Sequence, residues 1–251
     1  MQKTLIITLT IVLLSSVLCS ACQQKTSPED LESLNAIRHA TVLITMQLPR
    51  INESMDKTIS MGYGIGSLIE YQGEILLVTH NHWRKVLEDT SLVKFYDADN
   101  YLLKTIIGKE WRDLIVHADP GTLVLRPPQD LLDQLAPVSL QAIPQVTAGE
   151  TVEIVYRENP SRETASILEA VVEEVITYNG QPVYKLRTQD GRVIQPGDSG
   201  GGIWYQGCLV GNNWTVTAKS TLTPEDPDGF DEENMIFTDT SFGAILPAEL
   251  P

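Results

Sequence analysis

Residues 197–201 read Gly-Asp-Ser-Gly-Gly, and far upstream residues 75–83 read Ile-Leu-Leu-Val-Thr-His-Asn-His-Trp. These two stretches decide the fold. A serine in a glycine-rich turn lies between backbone N–H groups that can point at one developing oxyanion. A histidine at the end of an apolar strand offers a general base on a rigid scaffold. Together the two stretches indicate a serine hydrolase.

The order of these residues along the chain decides between two kinds of hydrolase. Gly197-x-Ser199-x-Gly201 also matches the pentapeptide of α/β-hydrolases, in which the acid and then the histidine follow the serine. In this chain all histidines precede Ser199, at His39, His80, His82 and His117. An α/β-hydrolase triad is therefore excluded, and the order histidine, aspartate, serine stays open.

Short strand-like runs separated by turn residues make up most of the chain after residue 40. Asn179-Gly180 lies between two such runs and is typical of a tight hairpin turn. The proline-containing stretch 127–144 separates the runs into two sets. Regularly spaced strands without intervening helices predict an all-β fold.

With these motifs the chain resembles trypsin-like (chymotrypsin-fold) serine proteases, and within them the bacterial HtrA-type and glutamyl-endopeptidase-like members. Residues 64–69 and 75–82 resemble the histidine block of the family, and residues 196–201, Pro-Gly-Asp-Ser-Gly-Gly, match its serine block. Residues 122–126 resemble the strand that follows the catalytic aspartate. The resemblance covers roughly residues 36–246, the protease domain only.

The resemblance implies an all-β fold of two antiparallel six-stranded Greek-key barrels. We expect the N-terminal barrel in residues 36–135 and the C-terminal barrel in residues 136–251, which together form the peptidase domain. It also implies that Ser199 is the nucleophile and that the N–H groups of Gly197 and Ser199 form the oxyanion hole.

The general base is expected at His82 rather than His80, because the family places its histidine three residues after the threonine, here Thr79. The pair His80-x-His82 could also bind a metal ion, but no third ligand stands at a recognised spacing. We therefore expect no metal and no organic cofactor.

The acid that orients the histidine is less clearly marked. Laying residues 123–126 on the family's pattern puts Gly121 at the position of the aspartate. Asp119, two residues upstream, is the expected acid, because a proline–glycine bulge would bring its carboxylate to His82. Asp113 is the alternative, with the local pattern of the family in an earlier strand.

Substrate contacts follow from the same resemblance. Val193, six residues before the serine, occupies the base of the specificity pocket, and an apolar floor disfavours basic side chains. Trp214, Thr215 and Val216 are expected in the edge strand that pairs with substrate, with Val216 narrowing the pocket. We expect cleavage after small or medium apolar residues.

Asp198 differs in context from its counterpart in trypsins, where the residue before the serine is paired by a newly freed N-terminal amine. The chain has no Ile-Val-Gly-Gly start. The resemblance therefore implies a site that is competent without cleavage of a propeptide.

The N-terminus has the features of a bacterial export signal. Lys3 precedes the apolar stretch Leu5–Leu18, which is short for a membrane span, and a small residue stands directly before Cys22. We expect a lipoprotein-type signal peptide in residues 1–21, a lipid anchor on Cys22 and a polar tether in residues 22–35. The protein would be an exported cell-envelope lipoprotein, or else a secreted protein.

Composition limits the partners. The net charge of −15 argues against nucleic acid and against anionic bilayers, whereas polypeptides remain suitable substrates. The sequence leaves the oligomeric state unknown. We predict an exported serine endopeptidase; a catalytically impaired member of the fold that acts as a binding module is the alternative, and an esterase would share the same machinery.

Overall fold

The computed structural model describes residues 28–51, 57–85, 87–158, 164–220 and 235–250. The expected signal peptide and Cys22 lie outside these residues. Within the described part, no helix has both the length and the apolar composition needed to cross a membrane.

Helix α1, Pro28–His39, leads into the first strand. Its sequence suits a helix, because proline is tolerated in the first turn and the basic residues Arg38 and His39 in the last turn complement the helix dipole. Residues 28–35, expected as part of the tether, lie in this helix. Ile37 is buried, and Arg38 donates a hydrogen bond to the carbonyl of Ala165.

The first sheet has eight strands in the order β5-β4-β1-β2-β3-β7-β6, with β8 parallel to β2. Strand β8 follows the expected domain boundary at residue 136, yet it pairs within this sheet. The strands are β1 Thr41–Ile51, β2 Lys57–Tyr71, β3 Glu74–Thr79, β4 Leu92–Tyr96, β5 Leu102–Ile107, β6 Ile115–Ala118, β7 Leu123–Leu125 and β8 Val138–Leu140.

The second sheet is a closed six-stranded barrel in the order β10-β11-β14-β13-β12-β9. At the hairpin between β10 and β11, Asn179 and Gly180 have φ of 48° and 78°, as the predicted tight turn requires. The strands are β9 Thr151–Glu158, β10 Thr164–Tyr178, β11 Gln181–Thr188, β12 Gly202–Tyr205, β13 Cys208–Ser220 and β14 Met235–Ile245.

The predicted all-β class with two β-barrel units is confirmed, but the first sheet departs from the expected six strands. Its described strands form an open path whose ends, β5 and β6, are joined by helix α2, Gly108–Asp113. Trp111 of this helix is fully buried and stacks on Phe95 at 5.9 Å between ring centroids. A packed helix thus covers the gap between the end strands. Helix α3, Gln129–Leu132, and a 3₁₀ helix, His82–Lys85, complete the fold.

Strand β3 has a continuous apolar run, Ile75–Val78, and its side chains pack on both faces of the strand. Leu77 packs into the core of the first sheet, whereas Leu76 and Val78 face a second cluster that includes Val155 and Trp204 of the other barrel. Burial of one such aliphatic side chain is worth about 1.5–3 kcal/mol. This packing fixes the end of β3 against the second barrel.

Arg157 crosses from β9 to the first sheet. Its side chain is buried, and Nη2 donates to the carbonyls of Ile44 at 2.9 Å and Gly64 at 2.8 Å. A guanidinium supplies several donors in a rigid fork, so one side chain satisfies carbonyl groups of two neighbouring strands.

Replacing Arg157 tests this bridge. In Arg157→Met the buried carbonyls of Ile44 and Gly64 lose the donor that Arg157 supplies. We therefore expect the free energy of unfolding to fall by about 1–3 kcal/mol. Urea denaturation measures the change. Arg187→Met is the control, because Arg187 is half exposed and its ion pairs with Glu173 and Asp239 lie at the surface, where such pairs contribute about 0–1 kcal/mol. Equal stability of the two variants would contradict the bridge.

Candidate active site

Ser199 lies in a tight turn between β11 and β12. The turn is closed by hydrogen bonds from Asp198 N to Gln195 O and from Gly201 N to Asp198 O, each 3.0 Å. Gly197 has φ of 100°, which glycine adopts without the strain of a side chain. Among the described residues, no acceptor bonds the N–H groups of Gly197 or Ser199. Both predicted oxyanion donors are thus unengaged.

The carboxylate of Asp198 holds this turn. It is only 3% exposed, and it accepts the backbone N–H of Arg157 on Oδ1 at 2.9 Å and that of Gln195 on Oδ2 at 2.8 Å. Such charge-assisted bonds to backbone N–H groups are among the stronger hydrogen bonds in proteins. Donors within the folded domain therefore support the turn.

Ile65 of β2 joins the serine turn to the histidine strand. Its N–H donates to the carbonyl of Ser199 at 2.9 Å, and its carbonyl accepts the hydroxyl of Thr79 at 2.6 Å. Thr79 is the last residue of β3, three residues before His82. The two sequence motifs that indicated a hydrolase are therefore brought together through one residue.

His82 begins the 3₁₀ helix after β3. Its ring is open to solvent on one side and packed against protein on the other, and this desolvation lowers its pKa from the ordinary value of 6.5. No hydrogen bond joins His82 to Ser199; hydrogen bonds between catalytic groups often tighten only when substrate binds.

His82 opens onto a cleft of about 650 Å³. Gly197 and Ser199 belong to the turn between β11 and β12 and do not line this cleft. The lining residues are Asn81, His82, Arg84, Ala118, Asp119, Pro120, Tyr178, Asn179, Trp214 and Thr215.

Gly121 stands at the position that the resemblance assigns to the catalytic aspartate, so this position carries no carboxylate. Thr79 pairs with Leu123 across β3 and β7, and Gly121 lies two residues before Leu123. A Cβ added at Gly121 would lie 2.6 Å from Cβ of Ala244, so this position has no room for a side chain. The alternative acid, Asp113, ends helix α2 and does not line the cleft.

Asp119 lines the same cleft as His82. The side-chain amide of Asn81, the residue before His82, donates to the backbone carbonyl of Asp119. Oδ1 of Asp119 accepts the N–H groups of Gly121 and Thr122 at 2.8 and 2.6 Å. Its other oxygen, Oδ2, is 3.8 Å from Nε2 of His117. In the part of the chain that the structure describes, no carboxylate bonds His82.

The predicted substrate-contact residues divide between two clefts. Trp214 and Thr215 line the cleft of His82, whereas Val193 lines another cleft, of about 570 Å³, together with Arg192 and Asp198. The backbone of Val216 pairs with Ser241 across β13 and β14, and its side chain lies outside the described part.

The sequence missed two features of the site. Tyr178, at the hairpin tip, contacts Trp214 edge-on at 5.7 Å and stacks on Phe242 at 4.8 Å between centroids. The Asn179-Gly180 turn signalled this hairpin, but no local pattern places its tip over the cleft. His80, fully buried beneath His82, is the second missed feature.

Comparisons with known proteins bear on the fold. No family model matches the chain, and no curated protein matches it. Among solved structures, the HtrA-type protease AlgW, in a serine-to-alanine form with a decapeptide, aligns at a TM-score of 0.60 and 13% identity over 86% of this chain and 62% of its own. The form with a tripeptide aligns at 0.55 and 13% over 86% and 59%.

This likeness shows the fold. The chain has the double β-barrel fold of trypsin-like serine proteases, and its structural neighbours are HtrA-type members of that group. The chain spans less than two thirds of the length of these two proteases.

The lowered pKa of His82 gives a pH prediction. A general base must be unprotonated, so a pKa below 6.5 keeps His82 competent at lower pH than an ordinary histidine. We expect the rate constant for labelling by a fluorophosphonate probe to fall at acidic pH with a midpoint below 6.5. His82→Ala, which lacks the titrating group, should show no such limb. A midpoint above that value in folded protein would contradict the prediction.

Proposed function

We propose that the protein is a serine endopeptidase. The observation that carries the proposal is the link through Ile65, which holds a serine turn with two unengaged N–H groups beside strand β3, whose last residue, Thr79, lies three residues before His82. A general base, a hydroxyl and an oxyanion site in one place are the requirements of acyl transfer.

In the proposed reaction Oγ of Ser199 attacks the scissile carbonyl carbon while the His82 imidazole takes the hydroxyl proton. The negative charge on the carbonyl oxygen is held by the N–H groups of Gly197 and Ser199, and each such donor contributes about 3–4 kcal/mol to lowering the barrier. His82 then gives its proton to the leaving amine. Water, activated by the same imidazole, hydrolyses the acyl-enzyme and restores the serine.

Asp119 is the acid we assign to this site. It shares the cleft with His82, and Asn81 ties its backbone to the histidine loop. Oδ1 is committed to two backbone donors, so Oδ2 is the oxygen available to the imidazole. Its role would be to orient His82 and to stabilise the imidazolium formed during attack.

The substrate is proposed to be an extended polypeptide. Trp214 and Thr215 of β13 line the cleft beside His82, where they can contact the residues before the scissile bond. Cleavage after small or medium apolar residues, export, and attachment to the cell envelope through Cys22 belong to the same proposal.

A binding module without activity is the second candidate. It is favoured by Gly121 at the acid position and by the absence of a carboxylate bonded to His82 in the described residues. Unengaged oxyanion donors argue for the enzyme, because a binding module has no need of them.

The proposal is tested by digestion of a denatured polypeptide mixture, with new N-termini identified by mass spectrometry. We expect wild type to generate fragments and Ser199→Ala, which keeps the fold and removes the nucleophile, to generate none. Fragments formed equally by both proteins would come from a contaminant and would contradict the endopeptidase. A folded wild type that cuts nothing and takes no fluorophosphonate label would favour the binding module.

Neutralising Asp119 tests the assigned acid. Asp119→Asn keeps the side-chain shape and removes the charge, so we expect kcat/KM for peptide hydrolysis to fall by up to about 10⁴-fold, as when a triad acid is neutralised. Asp113→Asn is the matched control and should retain the wild-type value. Equal activity of the two variants would exclude Asp119 from the reaction.

A further inference from the structure

His80 is a buried polar side chain that the proposed reaction does not use. It follows β3, is 1% exposed, and lies directly beneath the candidate base. An imidazole in such a position is costly unless it forms hydrogen bonds. Its Nδ1 accepts the backbone N–H of His82 at 3.2 Å.

This hydrogen bond caps the start of the 3₁₀ helix. The first N–H groups of a helix have no acceptor within it, and His80 satisfies that of His82 from two residues upstream. Asparagine and aspartate side chains make the same contact in Asx turns. The backbone position from which the His82 ring projects is therefore set by the side chain of His80.

The ring of His80 also contacts the ring of His82. The two centroids are 4.5 Å apart with the planes at 65°, and Trp83 packs against His80 at 4.2 Å and 71°. Such edge-to-face contacts favour one relative orientation of two aromatic rings. The plane of the candidate base is thus supported from below.

His80 reaches the serine turn as well. A Cβ added at Gly200 would lie 3.0 Å from Cδ2 of His80, and one added at Gly64 would lie 2.8 Å from Nε2. The ring therefore fits between a strand glycine and the residue after Ser199. It fills the space between the base and the nucleophile turn with little freedom to move.

The protonation state of His80 fits this role. Burial, and then the neighbouring His82, lower the pKa of His80 well below the ordinary value, which keeps the ring neutral. A neutral ring with Nδ1 as acceptor carries its proton on Nε2. Nε2 has no partner among the described residues, so what the imidazole provides beyond an apolar side chain of similar size is the acceptor at Nδ1.

We infer that His80 is a positioning residue: its Nδ1 fixes the backbone of His82, and its ring edge fixes the plane of the His82 imidazole against the Ser199 turn. The inference rests on the proposed function. In this role His80 supports the base from within the histidine block, in a site where a glycine, Gly121, stands at the position of the usual acid.

Two substitutions with the same branched arrangement of side-chain heavy atoms, asparagine and leucine, separate positioning from packing. Asparagine offers an acceptor at the place of Nδ1, whereas leucine offers none and suits the buried site better. We expect His80→Leu to lower the fluorophosphonate labelling rate constant by about 10- to 100-fold and His80→Asn to retain most of the wild-type rate. His80→Gln, whose amide extends toward the place of Nε2, serves as a polar control and should resemble leucine.

Thermal unfolding of the three variants is measured beside the rates. If His80 has a purely structural role, the labelling rate follows thermal stability, and His80→Leu reacts at least as fast as His80→Asn. That order would overturn the inference. Wild-type labelling rates in all three variants would overturn it as well. If His80→Leu does not fold, the labelling rates of His80→Asn and His80→Gln are compared instead. A faster rate for asparagine would support positioning, and a glutamine rate equal to or above it would overturn the inference. A folded wild type that takes no label would instead count against the proposed function, which separates the two failures.

Discussion

The site depends on one residue of β2. Ile65 donates its N–H to the carbonyl of Ser199 and accepts the hydroxyl of Thr79 on its own carbonyl, so that a turn in one barrel and a strand end in the other are held at a fixed separation. Neither motif could act alone: a serine without a base is a weak nucleophile. The apolar run of β3 and the side chain of Arg157 also join the two barrels, the first by packing and the second by hydrogen bonds to the carbonyls of Ile44 and Gly64.

The carboxylates of Asp198 and Asp119 accept hydrogen bonds mainly from backbone N–H groups. Asp198 holds the serine turn, and Oδ1 of Asp119 closes its own turn. Fixed dipoles aimed at one oxygen are an effective means of transition-state stabilisation, because they need no rearrangement during the reaction. In the proposed reaction His82 would be oriented by Oδ2 of Asp119, which lines the same cleft, and by His80, which lies on its buried side.

Local patterns predicted the parts of the structure that depend on neighbouring residues. The strand that ends at Thr79, the serine turn and the Asn179-Gly180 hairpin follow from apolar runs, glycine and turn chemistry. The helix over residues 28–39 was missed, because its polar sequence reads equally well as a tether. The eight-stranded first sheet was missed because β8 pairs in parallel with β2, a contact that no spacing encodes.

The finer geometry of the site depends on contacts between distant segments. The sequence pattern sets Gly121 at the acid position, but its crowding by Ala244 joins residues far apart in the chain. Val193, expected at the base of the specificity pocket, lines a cleft together with Arg192 and Asp198, and no local pattern in the sequence indicates that cleft. The depth of His80 could be suspected from its place next to an apolar strand, yet its bond to His82 N could not.

The proposed reaction requires that His82 activates Ser199. Intact-mass measurement after exposure to a fluorophosphonate, followed by mapping of the modified peptide, tests it most directly. We expect a single adduct on Ser199 in wild type and none in His82→Ala over the time in which wild type reacts to completion. A folded wild type without an adduct, or an adduct on Ser199 that forms equally fast without His82, would contradict it.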